Sequence, residues 1–451
     1  MRPNLRSVVV GGGIIGIFSA LFLAKFGHRV CIIEQSRELG GLHTSDSVEG
    51  YEFDRGTHIP SLTGVKEIDD LIFGKLEDYA CFDFINTGNF FGNRWNETSS
   101  LIDGRALPRN QYLEGLYEIF HNPSLQTDNE PNLAKYITTH FGPTLSKEIY
   151  SDVLAKLCGC SIDKLGSEIL DIYGLRRLIL LSKEKTIELK KIKYFDQILG
   201  AHDGHLRRLP LPIVYPKSDQ GIKFWIDGLV HALKQHNVRV IKGRTVKKIL
   251  REENTAHGVL LSDQEKLDVD TLVWSIPPSI ALNAAGIPCP PGQLEFRTTT
   301  LFHFIFPNNT IKKKQMYLWV WEKGFDSFRI TLYNNIFANR FKGSFGLTVE
   351  CLTSLRRAQD LDEKHILREL IGLGVIEDVS PVVMAKNILP NTFPVITEHH
   401  KVWVDQVAAE FQDSFSNAFL VGKSSGAHWF TRDLLVHAFD RLLPLIKSSG
   451  S

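Results

Sequence analysis

A chain of 451 residues exceeds one ordinary hydrophobic core, so two domains are expected. With 43% apolar residues and a formal net charge of +1 it reads as a soluble globular enzyme, and this near-neutral balance excludes a nucleic-acid binder, whose footprint is strongly basic. Six cysteines without a C-x-x-C pair (Cys31, Cys81, Cys158, Cys160, Cys289 and Cys351) read as reduced core residues of a cytoplasmic protein, and no metal is expected.

The chain starts Met1-Arg2-Pro3-Asn4 and enters a strand at once, and no run of about eighteen apolar residues follows. Neither a signal peptide nor a membrane span is therefore expected. Val8-Val9-Val10 is β-branched and apolar throughout, the mark of a buried parallel strand. Ile14–Phe26 is apolar all round, as a buried helix is, and Arg29–Ile33 is a second strand. Together they make a βαβ unit. Its turn carries Gly11, Gly13 and Gly16 at G-x-G-x-x-G spacing. Gly11 permits the sharp exit from the strand, Gly13 the approach of a pyrophosphate, and Gly16 a helix lying close on the sheet. The free N–H groups where the helix begins, at Ile14 and Ile15, and the helix dipole attract phosphate. Glu34, followed by Gln35, closes the second strand, where a carboxylate accepts hydrogen bonds from ribose hydroxyls and repels the 2′-phosphate of NADP.

Beyond Glu34 the chain reads QSRELGGLHTS and then YEFDRGTHIPSL. With these segments it resembles the FAD-dependent amine oxidase and protoporphyrinogen oxidase-like flavoproteins, a superfamily that includes the UDP-galactopyranose mutases. The resemblance implies that Gly40 and Gly41, with Leu42 and His43, lead past the cofactor pyrophosphate. It also implies that Asp54, Gly56, Thr57 and His58 run by the flavin. His58 is the first candidate catalytic group; its position is compatible with a direct role or with a histidine satisfied by backbone groups beside the cofactor.

From about Phe82 to Pro212 helical periodicity dominates, at Leu113–Phe120, Leu133–His140, Leu145–Leu157 and Leu170–Leu181. Within this stretch HFGPTLSKEIYSDVLAKLCGCSIDKL resembles the family's helix that opens at F-G and closes at K-x-x-G, with Lys156 and Gly159 as the matching residues. Lys156 reads equally well as a solvent-facing lysine. An amphipathic helix at Phe224–Gln235 precedes strands at Val238–Ile241, Thr245–Ile249, Ala256–Leu261 and Thr271–Ser275, the last ended by Pro277-Pro278. The resemblance implies that Val246 makes a backbone contact on the adenine side and that Ser275 lies near the flavin-facing loops. Aromatic, alternating runs at Thr299–Phe306, Met316–Trp321, Phe328–Asn334 and Gly346–Leu352 read as an antiparallel sheet. Near the end, Ala418–Val421 is a strand, Gly422 ends it, and a helix runs from Leu434 with Asp433 near its positive pole. The resemblance implies that Gly422, Gly426, Trp429 and Asp433 cap the flavin, with Lys423 standing where many relatives have arginine. No cysteine lies in this loop, so the FAD is expected to be non-covalent.

The expected fold is α/β. Residues 1–81, 213–290 and 395–451 form a discontinuous Rossmann-like FAD-binding domain, 82–212 a helical insertion and 291–394 an antiparallel-sheet substrate domain. The expected activity is that of an FAD-dependent oxidoreductase moving hydride from a small-molecule substrate to flavin N5, with a nucleotide sugar as the candidate class. A second reading is a redox-neutral UDP-sugar mutase that uses reduced FAD as a nucleophile, and a third is a flavin-binding structural protein. A diphosphate needs cations, for which Arg329, Arg340 and Arg176 or Arg177 are candidates, each equally readable as a surface ion pair. A homodimer is left open.

Overall fold

The computed structural model describes residues 5–121, 130–202, 209–292, 294–307 and 310–447. Strand β1 (Arg6–Val10) feeds helix α1 (Ile14–Lys25), which returns as β2 (Arg29–Glu34). These strands sit at the centre of a five-stranded parallel sheet ordered Ala418–Leu420, Thr271–Trp274, β1, β2, Arg239–Lys242. Val8 lies opposite Leu272 on one side and Cys31 on the other. The sheet draws its strands from three distant stretches of chain. Helix α1 is apolar all round because the helices Ile222–Gln235 and Thr431–Lys447 both pack against it. A small antiparallel sheet of Val246–Glu252, Thr255–Leu261 and Lys266–Asp268 stands beside it.

The second domain is a seven-stranded sheet ordered Val383–Pro394, Phe296–Pro307, Ser344–Thr353, Ser327–Leu332, Tyr317–Val320, Thr87–Phe91, Arg94–Asn96. Its pairings are antiparallel except that Tyr317–Val320 runs parallel to Thr87–Phe91. The sheet is therefore mixed, and two of its strands come from the stretch read as helical. The hairpin Ser45–Val48 and Tyr51–Asp54 (β3 and β4) leads from the nucleotide-binding domain toward this sheet.

Helices Arg109–His121, Leu133–Leu145 and Asp152–Cys158 occupy the expected places. Gly142, at φ +80, kinks the second before Pro143, and Gly159, at φ +74, ends the third. The expected helix Leu170–Leu181 stops at Tyr173, because Gly174 adopts the left-handed conformation at φ +66. A separate helix begins at Lys183. Among the described residues no helix is long and apolar enough to cross a membrane.

Candidate functional site

Two features meet at the carboxyl ends of the parallel strands: a glycine-lined helix mouth and a cavity of about 530 Å³. Gly11 leaves β1 at φ +102, and a Cβ there would lie 2.3 Å from Ser275 Oγ. Ser275 Oγ donates to Val10 O at 2.8 Å, so it pins the turn to the neighbouring strand. A Cβ on Gly16 would lie 1.9 Å from Gly11 O, which is why helix and strand lie so close. Gly13 is different. Its φ of −70 suits any residue, and an added Cβ meets nothing within 4 Å. The bare position faces open space at the N-terminus of a 12-residue helix, whose first N–H groups lack intrahelical acceptors. Packing of the described residues does not account for this missing side chain, and the residues fit the pyrophosphate of a dinucleotide.

The Gly40–Gly41 pair lies across the same mouth. Gly40 N–H donates to Gly12 O at 2.8 Å, Gly40 bridges to Gly13, and Gly41 takes φ +62. Glu34 is held at the end of β2 by N–H groups of Gly12 (2.6 Å) and Ser36 (2.8 Å), with Gln35 exposed beside it. The N–H groups of Gly243 and Arg244 donate to Ser36 O and Glu34 O, each at 3.1 Å, which brings Val246 to that end of the sheet. Gly422, at φ +83, would place a Cβ 3.1 Å from Ser275 O.

The cavity is walled by the turn from Thr57 to Ser61, by the sheet face carrying Tyr317, Trp319, Phe328 and Arg329, and by the loop from Trp429 to Asp433. Ile172, Tyr173, Leu211, Leu389 and Phe393 add apolar lining. His58 Nε2–H donates to Arg55 O at 3.0 Å, and the ring leans on His43 with centroids 4.8 Å apart. Burial, and then the charges of Arg329 and Lys423, push the His58 pKa down to about 4, so the ring is neutral near pH 7. This geometry supports the backbone-satisfied alternative for His58.

Arg329 and Glu350 face each other from adjacent strands in a bidentate pair, with Nε–Oε1 and Nη2–Oε2 both 2.6 Å. Burial works against the guanidinium charge, and the Glu350 carboxylate overcomes it, so the Arg329 pKa lies above its ordinary value. Glu350 also accepts from Thr57 N–H at 3.1 Å and from Thr57 Oγ1 at 3.2 Å. Lys423 Nζ stands 4.6 Å over the Trp429 ring and makes no ion pair with a carboxylate among the described residues. Asp433, in the first turn of Thr431–Lys447, is engaged by Arg432 at 2.8 Å, with Leu434 buried behind it.

Other candidates lie elsewhere. Lys156 is half-buried, and its Nζ donates to Val320 O, Glu322 O and Ser327 O, each at 2.8 Å, so its ammonium is turned to the main chain and it does not line the cavity. Arg340 is 1% exposed and packs against Asp54, which also accepts from Tyr215 OH (2.6 Å) and Ile222 N–H (3.0 Å). The motif aspartate therefore caps the helix Ile222–Gln235. Arg176 is paired with Asp171, and Arg177 Nε donates to Asp196 O at 2.8 Å. Away from the cavity, Asp326, His365 and Glu369 cluster, but Arg357 engages Asp326 while Glu369 accepts the N–H groups of Asp326 and Ser327. Sequence reasoning missed Glu350 and Arg55, although a charged residue inside the apolar run Gly346–Leu352 is itself a signal of a buried partner.

Residues 9–68 match the NAD(P)-binding Rossmann-like domain family. Over nearly the whole chain the fold is similar to a solved structure of reduced UDP-galactopyranose mutase (TM-score 0.76, 16% identity, 99% of this chain and 96% of that one). It is also similar to a putative protoporphyrinogen oxidase from Exiguobacterium sp. 255-15 (TM-score 0.72, 14% identity, 99% and 100%). In sequence, the 4,4'-diaponeurosporene oxygenase of Staphylococcus aureus is 23% identical over 292 residues, 59% of this chain and 54% of the relative. The chain spans about half or less of the length of the curated relatives it matches.

Proposed function

We propose that this chain, whose fold is that of the FAD-dependent amine oxidase and protoporphyrinogen oxidase-like flavoproteins, is an FAD-dependent oxidoreductase acting on an apolar small molecule. The observation that carries the reading is the bare, unobstructed Gly13 at the mouth of α1, opening toward the same end of the sheet as the cavity. Gly13, Ile14 and Ile15 would hold the pyrophosphate and Glu34 the ribose, with the Thr57–His58 turn and the Lys423–Asp433 loop available to the flavin. When bound, the flavin supplies two-electron redox chemistry at N5.

The chain's own residues do the rest. Tyr317, Trp319, Phe328 and Phe393 give the substrate an apolar face and exclude water. Arg329, fixed by Glu350, presents a permanent cation to that face. The neutral His58 ring, tied to the main chain, orients the turn and carries no charge near pH 7. The candidate diphosphate ligands Arg340 and Arg176 are committed to Asp54 and Asp171, and the apolar reading rests on the aromatic wall of the cavity.

The test is to purify the protein with FAD and offer apolar alcohols, amines and polyenes without oxygen. Bleaching of the oxidised flavin band by one of these supports the reading. Turnover of a UDP-sugar by the dithionite-reduced protein, with no net change in flavin redox state, replaces it with the mutase reading. A protein that takes up no FAD ends both.

A further inference from the structure

Arg55 ends the hairpin that points from the nucleotide-binding domain into the cavity, and it lines that cavity with 30% of its side chain accessible. A guanidinium carries five N–H donors in a fixed fork. Here Nε donates to Asp46 Oδ1 at 2.7 Å and Nη1 to Thr44 Oγ1 at 2.8 Å. The remaining N–H groups meet no acceptor among the described residues.

Asp46 is held from three directions. Besides Arg55, Asn387 Nδ2 donates to its Oδ2 at 2.7 Å and His303 Nε2 at 3.2 Å. His303 is fully buried, and its Nδ1 accepts from Thr348 Oγ1 at 2.8 Å. These bonds outweigh the effect of burial and hold the Asp46 pKa at about 2. The carboxylate is thus a fixed anion, anchored to two strands of the large sheet, that holds the Arg55 Nε–H, while Thr44 takes one Nη1–H and the Nη2 end of the fork is left toward the cavity. The Arg55 carbonyl holds His58.

We propose that Arg55 is a ligand-binding residue of the cavity, its free N–H groups taking a carbonyl or carboxylate oxygen of the molecule bound there, and that Asp46 is the positioning residue for that fork. The proposal rests on the flavoprotein reading only for one of the two sources of the oxygen, the flavin ring or the substrate.

The experiment compares wild type with Arg55→Gln, Arg55→Lys and Asp46→Asn in the full chain. FAD affinity is read by flavin fluorescence. Affinities for 4-phenylbutyrate and for the matched alcohol 4-phenylbutanol are read by tryptophan fluorescence, with and without FAD, because Trp319 and Trp429 line the cavity. Loss of about tenfold in 4-phenylbutyrate affinity in all three variants, with 4-phenylbutanol unchanged, assigns the oxygen to the substrate. A similar loss confined to FAD affinity assigns it to the flavin. Unchanged affinities in Arg55→Gln, including the case in which wild type takes up no 4-phenylbutyrate, overturn the proposal. Equal loss of acid and alcohol in Asp46→Asn overturns the positioning role; a fall in its melting temperature is expected either way, because the carboxylate's bonds to Asn387 and His303 are weakened as well. Failure of wild type to bind FAD sinks the flavoprotein reading but leaves the tryptophan titrations readable.

Discussion

Arg329 and Glu350 form a buried bidentate pair whose carboxylate is shared with the turn of the other domain. Glu350 is 3% and Arg329 17% accessible in their side chains, and Glu350 accepts two further bonds from Thr57. A Cβ on Gly56, already at φ +104, would lie 2.7 Å from Glu350 Oε2. One carboxylate thus joins the large sheet to the segment that runs beside the cavity.

Removing only one partner leaves a buried charge uncompensated. Glu350→Ala is expected to cost about 3–5 kcal/mol in urea unfolding. The double change Arg329→Leu with Glu350→Ala is expected to cost less than the sum of the single ones. Additive costs would show that the two side chains do not depend on each other.

The glycines of the helix mouth separate binding from folding. Gly13→Ala is expected to cost no more than about 1 kcal/mol in stability, the loss of a glycine at the helix N-cap, since its φ is ordinary and its Cβ meets nothing within 4 Å, while FAD affinity falls by at least about tenfold, or about 1.4 kcal/mol. Gly16→Ala should do the reverse and lose stability, because its Cβ meets the Gly11 carbonyl. Urea titrations beside FAD titrations of both variants check this, and a Gly13→Ala protein that still holds FAD tightly contradicts it.

Lys423 stands in the cavity without a carboxylate, so its role should appear in binding alone. Lys423→Met is expected to leave the unfolding midpoint unchanged and to weaken FAD binding about tenfold to a hundredfold, the range of a charge-assisted hydrogen bond. Lys423→Arg should restore most of the loss. A stability change without a binding change would make Lys423 a packing residue.

Lys156 makes alkaline stability a test of its burial. Desolvation lowers its pKa from 10.5 to about 8, so between those values the unfolded chain holds a proton that the folded chain has released. Stability therefore rises with pH across that window. Lys156→Met should abolish that rise and, at pH 7, cost about 1–3 kcal/mol for the three carbonyls left without a donor. Unfolding curves at pH 7, 8, 9 and 10 read both effects.

What local sequence shows and what it hides divide along physical lines. β1, α1 and β2 are legible because burial on both faces forces continuous apolar runs, and the bare turn residues have a mechanical purpose. The Thr87–Phe91 and Arg94–Asn96 hairpin carries its own turn signal at Gly92-Asn93, both at positive φ, but helical periodicity on its far side obscures it. The edge strand Val383–Pro394 escapes notice because it is half-exposed and holds Pro390 and Pro394, which an edge tolerates. Glu350, Arg55 and Asp46 act through partners up to 341 positions away, and no local period encodes such pairings. Lys156 shows the opposite error: a cation on a helix looks solvated until the carbonyls around it are seen.

The parallel sheet has a consequence for how the protein is made. Its edge strand Ala418–Leu420 and the helix Thr431–Lys447 follow α1 at a long distance in the chain, yet that helix packs on α1. Synthesis must therefore pass residue 431 before α1 has its full apolar cover, the helix Ile222–Gln235 giving only part of it. Until then part of α1's apolar surface stands open, and a chain cut before residue 431 is expected to aggregate and to be proteolysed more readily.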